Sequence, residues 1–213
     1  MIKAVSIGKQ YDYTVLDSID LEVSTTESLS ITGVSGSGKS TLLHILSTFL
    51  APTSGSVSLG DRDIYSLSDK QILQIRRKDI GIIFQDHYLF RGFSARENLE
   101  VAAKLSNEKI DEEILDIFGI RDVIEQQVGE LSGGQRQRVS IARVLQKRPK
   151  YIFADEPTGN LDKKNAINVM NALSEYIKNR GACMVFATHD IELAKKCDFC
   201  YKIEEKQAKP WSL

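Results

Sequence analysis

Residues 33–41 read GVSGSGKST and follow directly on the strand-like run ESLSIT. Three glycines, four small hydroxyl side chains and one lysine fill no core, so the stretch has another use. It meets the spacing G-x-x-x-x-G-K-[ST] through Gly33, Gly38, Lys39 and Ser40. Glycines let successive backbone N–H groups turn inward around an anion, and the helix that follows adds the positive end of its dipole. STLLHILSTFL supplies that helical pattern, and Pro52 and Gly55 stop it. Strand, loop and helix are thus in the order that holds a nucleoside triphosphate: Ser35, Gly36, Ser37 and Thr41 complete the cradle, Lys39 reaches the β- and γ-phosphates, and Ser40 serves Mg²⁺. The reading is an α/β fold, a P-loop NTPase core of sheet flanked by helices. Kinases, GTPases and motor ATPases share such a loop, so it names a ligand without naming a machine.

Away from the loop, composition sets limits. The chain has 213 residues, 28 basic against 29 acidic, and a pI near 6.3. No global basic field draws in a nucleic acid, and none is expected as partner. MIKAVSIGKQYDY lacks the apolar stretch of a signal peptide, and no apolar run approaches the roughly 18 residues of a membrane span, so a soluble, cytoplasmic chain is expected. Cys183, Cys197 and Cys200 make no disulfide framework. CDFC has C-x-x-C spacing but no second pair to complete a zinc site, and it reads as apolar packing at the start of a strand.

DIGIIFQ (79–85) and KYIFADE (150–156) read as buried strands, and KIDEEILDIF, QRQRVSIARVLQK and NAINVMNALSEYIKN as amphipathic helices. Between Gln85 and Gly129 the pattern is mostly helical with polar faces. One domain over 1–213 is expected, with a core of about 1–85 and 150–205 and a helical subdomain inserted at about 86–149. Lys206, Lys209 and Pro210 around the lone Trp211 read as a loosely ordered tail.

A second phosphate-seeking helix start lies at ELSGGQRQRVSIARVL (130–145), where Ser132 can cap the helix and Gly133 and Gly134 leave backbone N–H groups bare. One nucleotide does not need two such helix ends from one chain. The second therefore reads as acting on a nucleotide held by a partner, against the simpler alternative of a plain capped helix.

These stretches resemble the ATP-binding subunits of ABC transporters over nearly the whole chain, up to about residue 204. LSGGQ matches the signature motif of that family, and the other motifs follow in its order. The resemblance implies ATP and Mg²⁺ as ligands, an N-terminal antiparallel β portion, and a set of roles. Tyr11, or else Tyr13, stacks on adenine, and Gln85 senses the γ-phosphate and Mg²⁺. KYIFADE gives Asp155 to Mg²⁺ and Glu156 to the attacking water. Asp162 of GNLD lies at a dimer interface, and His189 of ATHD is the switch histidine. Lys39, Gln85, Glu156 and His189 are thus the expected catalytic set, with Ser40, Gln85 and Asp155 around the metal. Residues 132–135, Gln135 included, are expected to close on the nucleotide of a second copy of the chain.

The chemistry asks for these residue types apart from any resemblance. Adjacent carboxylates at the end of a buried strand are costly unless a cation sits there, and transfer of a phosphoryl group to water needs in-line positioning and charge cancellation. His44 reads as packing. His87 stands in the aromatic stretch FQDHYLF, where packing within the helical lobe competes with a second use: Tyr88, Leu89 and Phe90 lining a groove for an integral membrane permease, as the resemblance implies, with the chain peripheral on the inner face of the membrane.

EPTGNLD, SGSGKSTLLHIL and IFQDHYL look like the branch serving lipoprotein release, macrolide or peptide efflux, and cell division; the cargo stays open among them. Regulatory gating without transport, or a DNA-repair type of ABC ATPase, are the alternatives. Two departures stand out: QQVGE replaces the proline common before LSGGQ, and the turn TTES lacks the usual glycine.

Overall fold

The structure, a computed structural model, describes residues 1–211. Its strands are β1 (Ile2–Gln10), β2 (Thr14–Val23), β3 (Ser28–Thr32), β4 (Ser54–Leu59), β5 (Arg62–Asp63), β6 (Ile80–Ile83), β7 (Tyr151–Asp155), β8 (Cys183–Ala187), β9 (Phe199–Glu204) and β10 (Gln207–Pro210). They sort into two sheets by the way their apolar residues repeat. IKAVSIGKQ and TVLDSIDLEV bury some side chains and expose others between them, which suits an antiparallel sheet with one wet face. They form the sheet β2-β1-β4-β5. SLSIT and CMVFA are buried at every position, as strands covered on both faces must be, and lie in the sheet β10-β9-β3-β8-β7-β6. That sheet is parallel from β9 to β6 and antiparallel only at its β9–β10 edge. The expected mixed sheet with a separate antiparallel N-terminal portion is what forms.

The helices are α1 (Lys39–Leu46), α2 (Asp69–Lys78), α3 (Ala95–Ser106), α4 (Glu112–Ile117), α5 (Gly133–Leu145), α6 (Lys163–Arg180) and α7 (Ile191–Ala194). One apolar cluster joins the first sheet to one face of the second through α1, with Ile7, Leu42 and Phe153 fully buried. The other runs from the opposite face into the helical region: Leu99 of α3, Leu115 of α4, Val139 of α5 and Tyr176 of α6 share it with Ile152 and Phe186. The helical insertion thus has no core of its own. Each such buried side chain contributes roughly 1.5–3 kcal/mol, so the insertion is fastened by the same term that holds the sheet.

The helix read over KIDEEILDIF is shorter than expected, because the Asp111 carboxylate accepts from Glu113 N–H (3.2 Å) and starts it late, and Gly119 at φ 56° closes it. The expectation of a loose tail is wrong: β10 pairs with β9 over residues 207–210. Glu205 and Lys206, at φ 49° and 70°, make the tight turn between them. The last two residues of that expected tail lie outside the described ones. Cys197 packs on the helical-side cluster, where burial pushes its thiol up to about 12, and Cys200 sits in β9; the three cysteines are free. The packing reading of CDFC fits this arrangement.

Candidate nucleotide-binding site

β3 ends at Thr32, the glycine loop follows, and Lys39 opens α1. Gly38 stands at φ 103°, and a Cβ there would lie 2.8 Å from Leu16 Cδ2 and 3.2 Å from Val15 Cγ1. β2 therefore presses on the loop from the neighbouring sheet, and only glycine satisfies both the backbone angle and the space. Lys39 is buried, and its Nζ donates to the carbonyls of Gly33 and Val34, both at 3.0 Å. Three donors less two leave one for a ligand. The first turn of α1 carries no acidic residue to offset its dipole. The Ser37 hydroxyl is buried without a partner.

Facing the loop, β7 delivers Asp155 at its C-terminal end. Glu156 follows at φ 45°, held by its N–H donating to Ala187 O of β8 (3.0 Å). A left-handed residue with a side chain costs about 1–2 kcal/mol, met here by the strand ladder that continues past it. The Glu156 carboxylate lies 2.8 Å from His189 Nδ1. His189 is aimed by the next turn, where Asp190 N–H donates to Thr188 Oγ1 (3.0 Å) and the Asp190 carboxylate caps α7. Gln85, just past β6, exposes its side-chain amide toward the same space, and Asn160 Nδ2 donates to the Gln85 backbone carbonyl at 3.4 Å.

These groups line one cleft of about 850 Å³. Ser35, Gly36, Gly38, Lys39, Ser40 and Thr41 form one wall; Gln85, Asp155, Glu156 and His189 form the other. Tyr11 and Tyr13 stand at its mouth, both exposed, with Lys9 Nζ 5.1 Å from the Tyr11 ring centroid. Val15 also lines the cleft and was not anticipated, since a valine in a strand reads only as packing.

Residues 132–135 and Asp162 do not line it. Ser132 caps α5: its Oγ accepts from Gln135 N–H (3.2 Å) while Gln135 Oε1 accepts from Ser132 N–H (2.7 Å). The Gln135 side chain is thereby used within its own helix start, whereas the Ser132 hydroxyl keeps its proton free to donate. Asp162 caps α6 without that reciprocity: its carboxylate accepts from both the N–H (3.0 Å) and the side-chain amide of Asn165, and the N–H of Asn165 holds its carboxyl below the usual carboxylate range. Gly134 lies beside Leu161, so these two exposed helix starts are neighbours.

Asp86, His87, Tyr88, Leu89 and Arg91 border a separate groove of about 820 Å³ with Val128, Gly129 and Arg136, and Phe90, expected there, does not line it. The segment is pinned from beneath: Ser140 Oγ donates to His87 O (2.8 Å), Arg143 Nη1 to Tyr88 O (2.7 Å), and Asn98 Nδ2 to Phe90 O (3.2 Å). Tyr88 and Phe90 point outward, but Leu89 is half-buried against the core. His87 is half-buried with an unpartnered Nδ1. His44 is half-buried in α1 and tilts toward Phe49.

A phosphate loop on α1 facing a carboxylate pair and a histidine, beside a helical insertion with its own glycine-rich helix start, defines a P-loop nucleoside triphosphatase of the cassette type. The ABC transporter family matches residues 16–159, and the chain belongs to it. Among curated relatives, the "Lipoprotein-releasing system ATP-binding protein LolD" of Shewanella frigidimarina is 43% identical over 190 residues, covering 86% of this chain and 80% of its own. That of Blochmanniella floridana is 40% identical, covering 96% and 92%. Among solved structures, the dimeric bacterial ABC transporter cassette MJ0796 superposes with a TM-score of 0.87 at 31% identity, covering 98% of this chain and 97% of its own. A dimeric post-hydrolysis state of MJ0796 bound to ADP and Pi gives 0.89 at 30%, covering 100% and 99%. Of the branches left open by the sequence, these relatives match lipoprotein release.

Proposed function

We propose that this chain is the ATP-hydrolysing subunit of a lipoprotein-releasing transport system, working as a head-to-tail dimer against membrane permease subunits that carry large extracytoplasmic domains. The single observation that carries the dimer is the division of phosphate-binding features. Ser35, Gly36, Gly38, Lys39, Ser40 and Thr41 stand in the cleft with Asp155, Glu156 and His189, while Ser132 caps a helix outside it. In the dimer, residues 132–134 of one copy close on the triphosphate held by the other, and Asp162 borders the junction.

Each side chain then has one task. Lys39 and the loop N–H groups neutralise the β- and γ-phosphates, and Tyr11 or Tyr13 stacks on the base. Glu156 orients or deprotonates the attacking water, a contribution of about 10²–10⁴-fold for a positioned base. His189, aimed by the Asp190 cap, donates to the γ-phosphate once it turns from Glu156, and Gln85 reports its presence to the groove. The Ser40 hydroxyl, the Gln85 amide and the Asp155 carboxylate are hard oxygen donors on one cleft, which fits Mg²⁺. Among the described residues no group of three or more His, Cys, Asp or Glu side chains could hold a metal, so the ion would be shared with phosphate oxygens. When bound, Mg²⁺ supplies charge neutralisation between the phosphates.

Among the described residues no helix is long and apolar enough to cross a membrane. Bound to a permease, the chain lies peripherally on the cytoplasmic face of the membrane, held by Tyr88 and Leu89 at the groove. Glu156→Gln tests the catalytic assignment: nucleotide binding should persist while hydrolysis falls by about a hundredfold or more. Turnover near that of the parent would remove Glu156 from the mechanism.

A further inference from the structure

Gln137 sits in α5 and is only 1% exposed. Its Nε2 donates to the Pro157 carbonyl, and its Oε1 is buried with no hydrogen-bond partner among the described residues. A carbonyl can only accept, so Pro157 fixes which end of the amide faces it. The other end is left with an oxygen stripped of water and unpaired, a cost that a methionine of similar shape would not carry. Packing alone therefore does not account for a glutamine here. What sets it apart from an apolar residue is the one bond it gives.

That bond lands one residue past Glu156. Glu156 stands at φ 45°, and the residue before a proline is ordinarily pushed toward extended backbone, so its conformation is opposed twice over. On the upstream side the Glu156 N–H is held by Ala187 O (3.0 Å). Downstream, Pro157 has no N–H to give, and its carbonyl is the only backbone polar group by which it can be fastened. Gly159 N–H to Glu156 O (3.1 Å) and Leu161 N–H to Thr158 O (3.0 Å) close turns within the segment and do not tie it to the rest of the chain. Gln137 supplies a tie at Pro157 itself. The Glu156 carboxylate, 2.8 Å from His189 Nδ1, is thus carried on a backbone clamped on both sides.

We propose that Gln137 is a positioning residue for hydrolysis: through the Pro157 carbonyl it keeps Glu156 in its left-handed conformation, with the carboxylate directed into the cleft. Gln137 does not itself line the cleft, so it acts on the reaction through Glu156. The inference rests on the catalytic reading of Glu156 above.

ATP hydrolysis by the full chain, followed as phosphate release, tests this beside nucleotide binding and urea unfolding. Gln137→Met removes the bond together with the unpaired oxygen, and Gln137→Asn keeps an amide that is one methylene too short to reach Pro157. A misplacement of about 1 Å can cost about 10²-fold, so both variants should lower the hydrolysis rate about 10- to 100-fold. ATP affinity should stay within about twofold of the parent, and the unfolding midpoint of Gln137→Met should not fall. Because Gln137 acts through Glu156, adding either substitution to Glu156→Gln should leave the residual rate of Glu156→Gln unchanged. If Gln137→Met does not fold, Gln137→Asn and its pairing with Glu156→Gln carry the same readouts. A parent-like rate in the single variants, or a further fall of the same size on the Glu156→Gln background, overturns the assignment even where Glu156→Gln alone is slow. If Glu156→Gln alone hydrolyses like the parent, the catalytic reading fails and this one with it.

Discussion

Ser132 has two tasks in this account, capping α5 in its own chain and donating to the γ-phosphate held by a partner, and they can be separated with a matched control. Ser94 caps α3 through the same reciprocal arrangement, accepting from Glu97 N–H (3.2 Å) while the Glu97 carboxylate accepts from Ser94 N–H (2.7 Å). Replacing either serine by alanine removes one capping bond at the same length and should cost about 1 kcal/mol of folding stability, a shift readable in urea unfolding. Only Ser132 has a further donor to lose. A hydrogen bond to a charged group contributes about 1.5–3 kcal/mol, so if it is made when the dimer closes on ATP and hydrolysis requires that closed dimer, Ser132→Ala should lower ATP turnover about 10- to 150-fold, while Ser94→Ala leaves it within about twofold. Steady-state phosphate release at saturating Mg-ATP is the assay. Equal losses in the two variants would make the cap the whole explanation, and unchanged turnover in Ser132→Ala would remove the signature helix from the site.

Gly36→Ala and Gly38→Ala both place a side chain at positive φ, but only position 38 meets Leu16 and Val15; Gly38→Ala should therefore be about 1–3 kcal/mol the less stable in chemical denaturation, and equal stabilities would deny the pressure of β2 on the loop. Burial lowers the Lys147 ammonium from 10.5 to about 8. The unfolded chain keeps that proton to higher pH, so stability should rise between about pH 8 and 10, and the difference between parent and Lys147→Met should move toward the parent by about 1–2 kcal/mol across that window. Parallel stability curves for the two proteins would contradict this.

What the sequence disclosed follows from how local its causes are. The phosphate loop, the Ser132 cap and the strand before Asp155 were legible because each rests on a few consecutive residues whose composition makes sense only one way. The turn at Glu205 and Lys206 was not, since two left-handed residues usually announce themselves as Asn-Gly, and a charged pair before a proline looks like a tail instead. The left-handed Glu156 depends on a bond to Ala187 from a strand some thirty residues later, which no local pattern carries. Of the three residues expected at the docking groove, Tyr88 and Leu89 line it and Phe90 does not; the half-burial of Leu89 follows from the way α3 and α5 grip the backbone around it, which no local pattern carries.

If one ATP is completed by two chains, the sedimentation of Glu156→Gln must change when Mg-ATP is added. To carry such a pair from mostly open to mostly closed, ATP must favour the closed state by about 5.5 kcal/mol, within reach of two sets of charge-assisted contacts. Glu156→Gln should sediment as a monomer without nucleotide and as a dimer with Mg-ATP, reverting to monomer when Ser132→Ala is added. A monomer under both conditions, or a dimer indifferent to nucleotide, would contradict it.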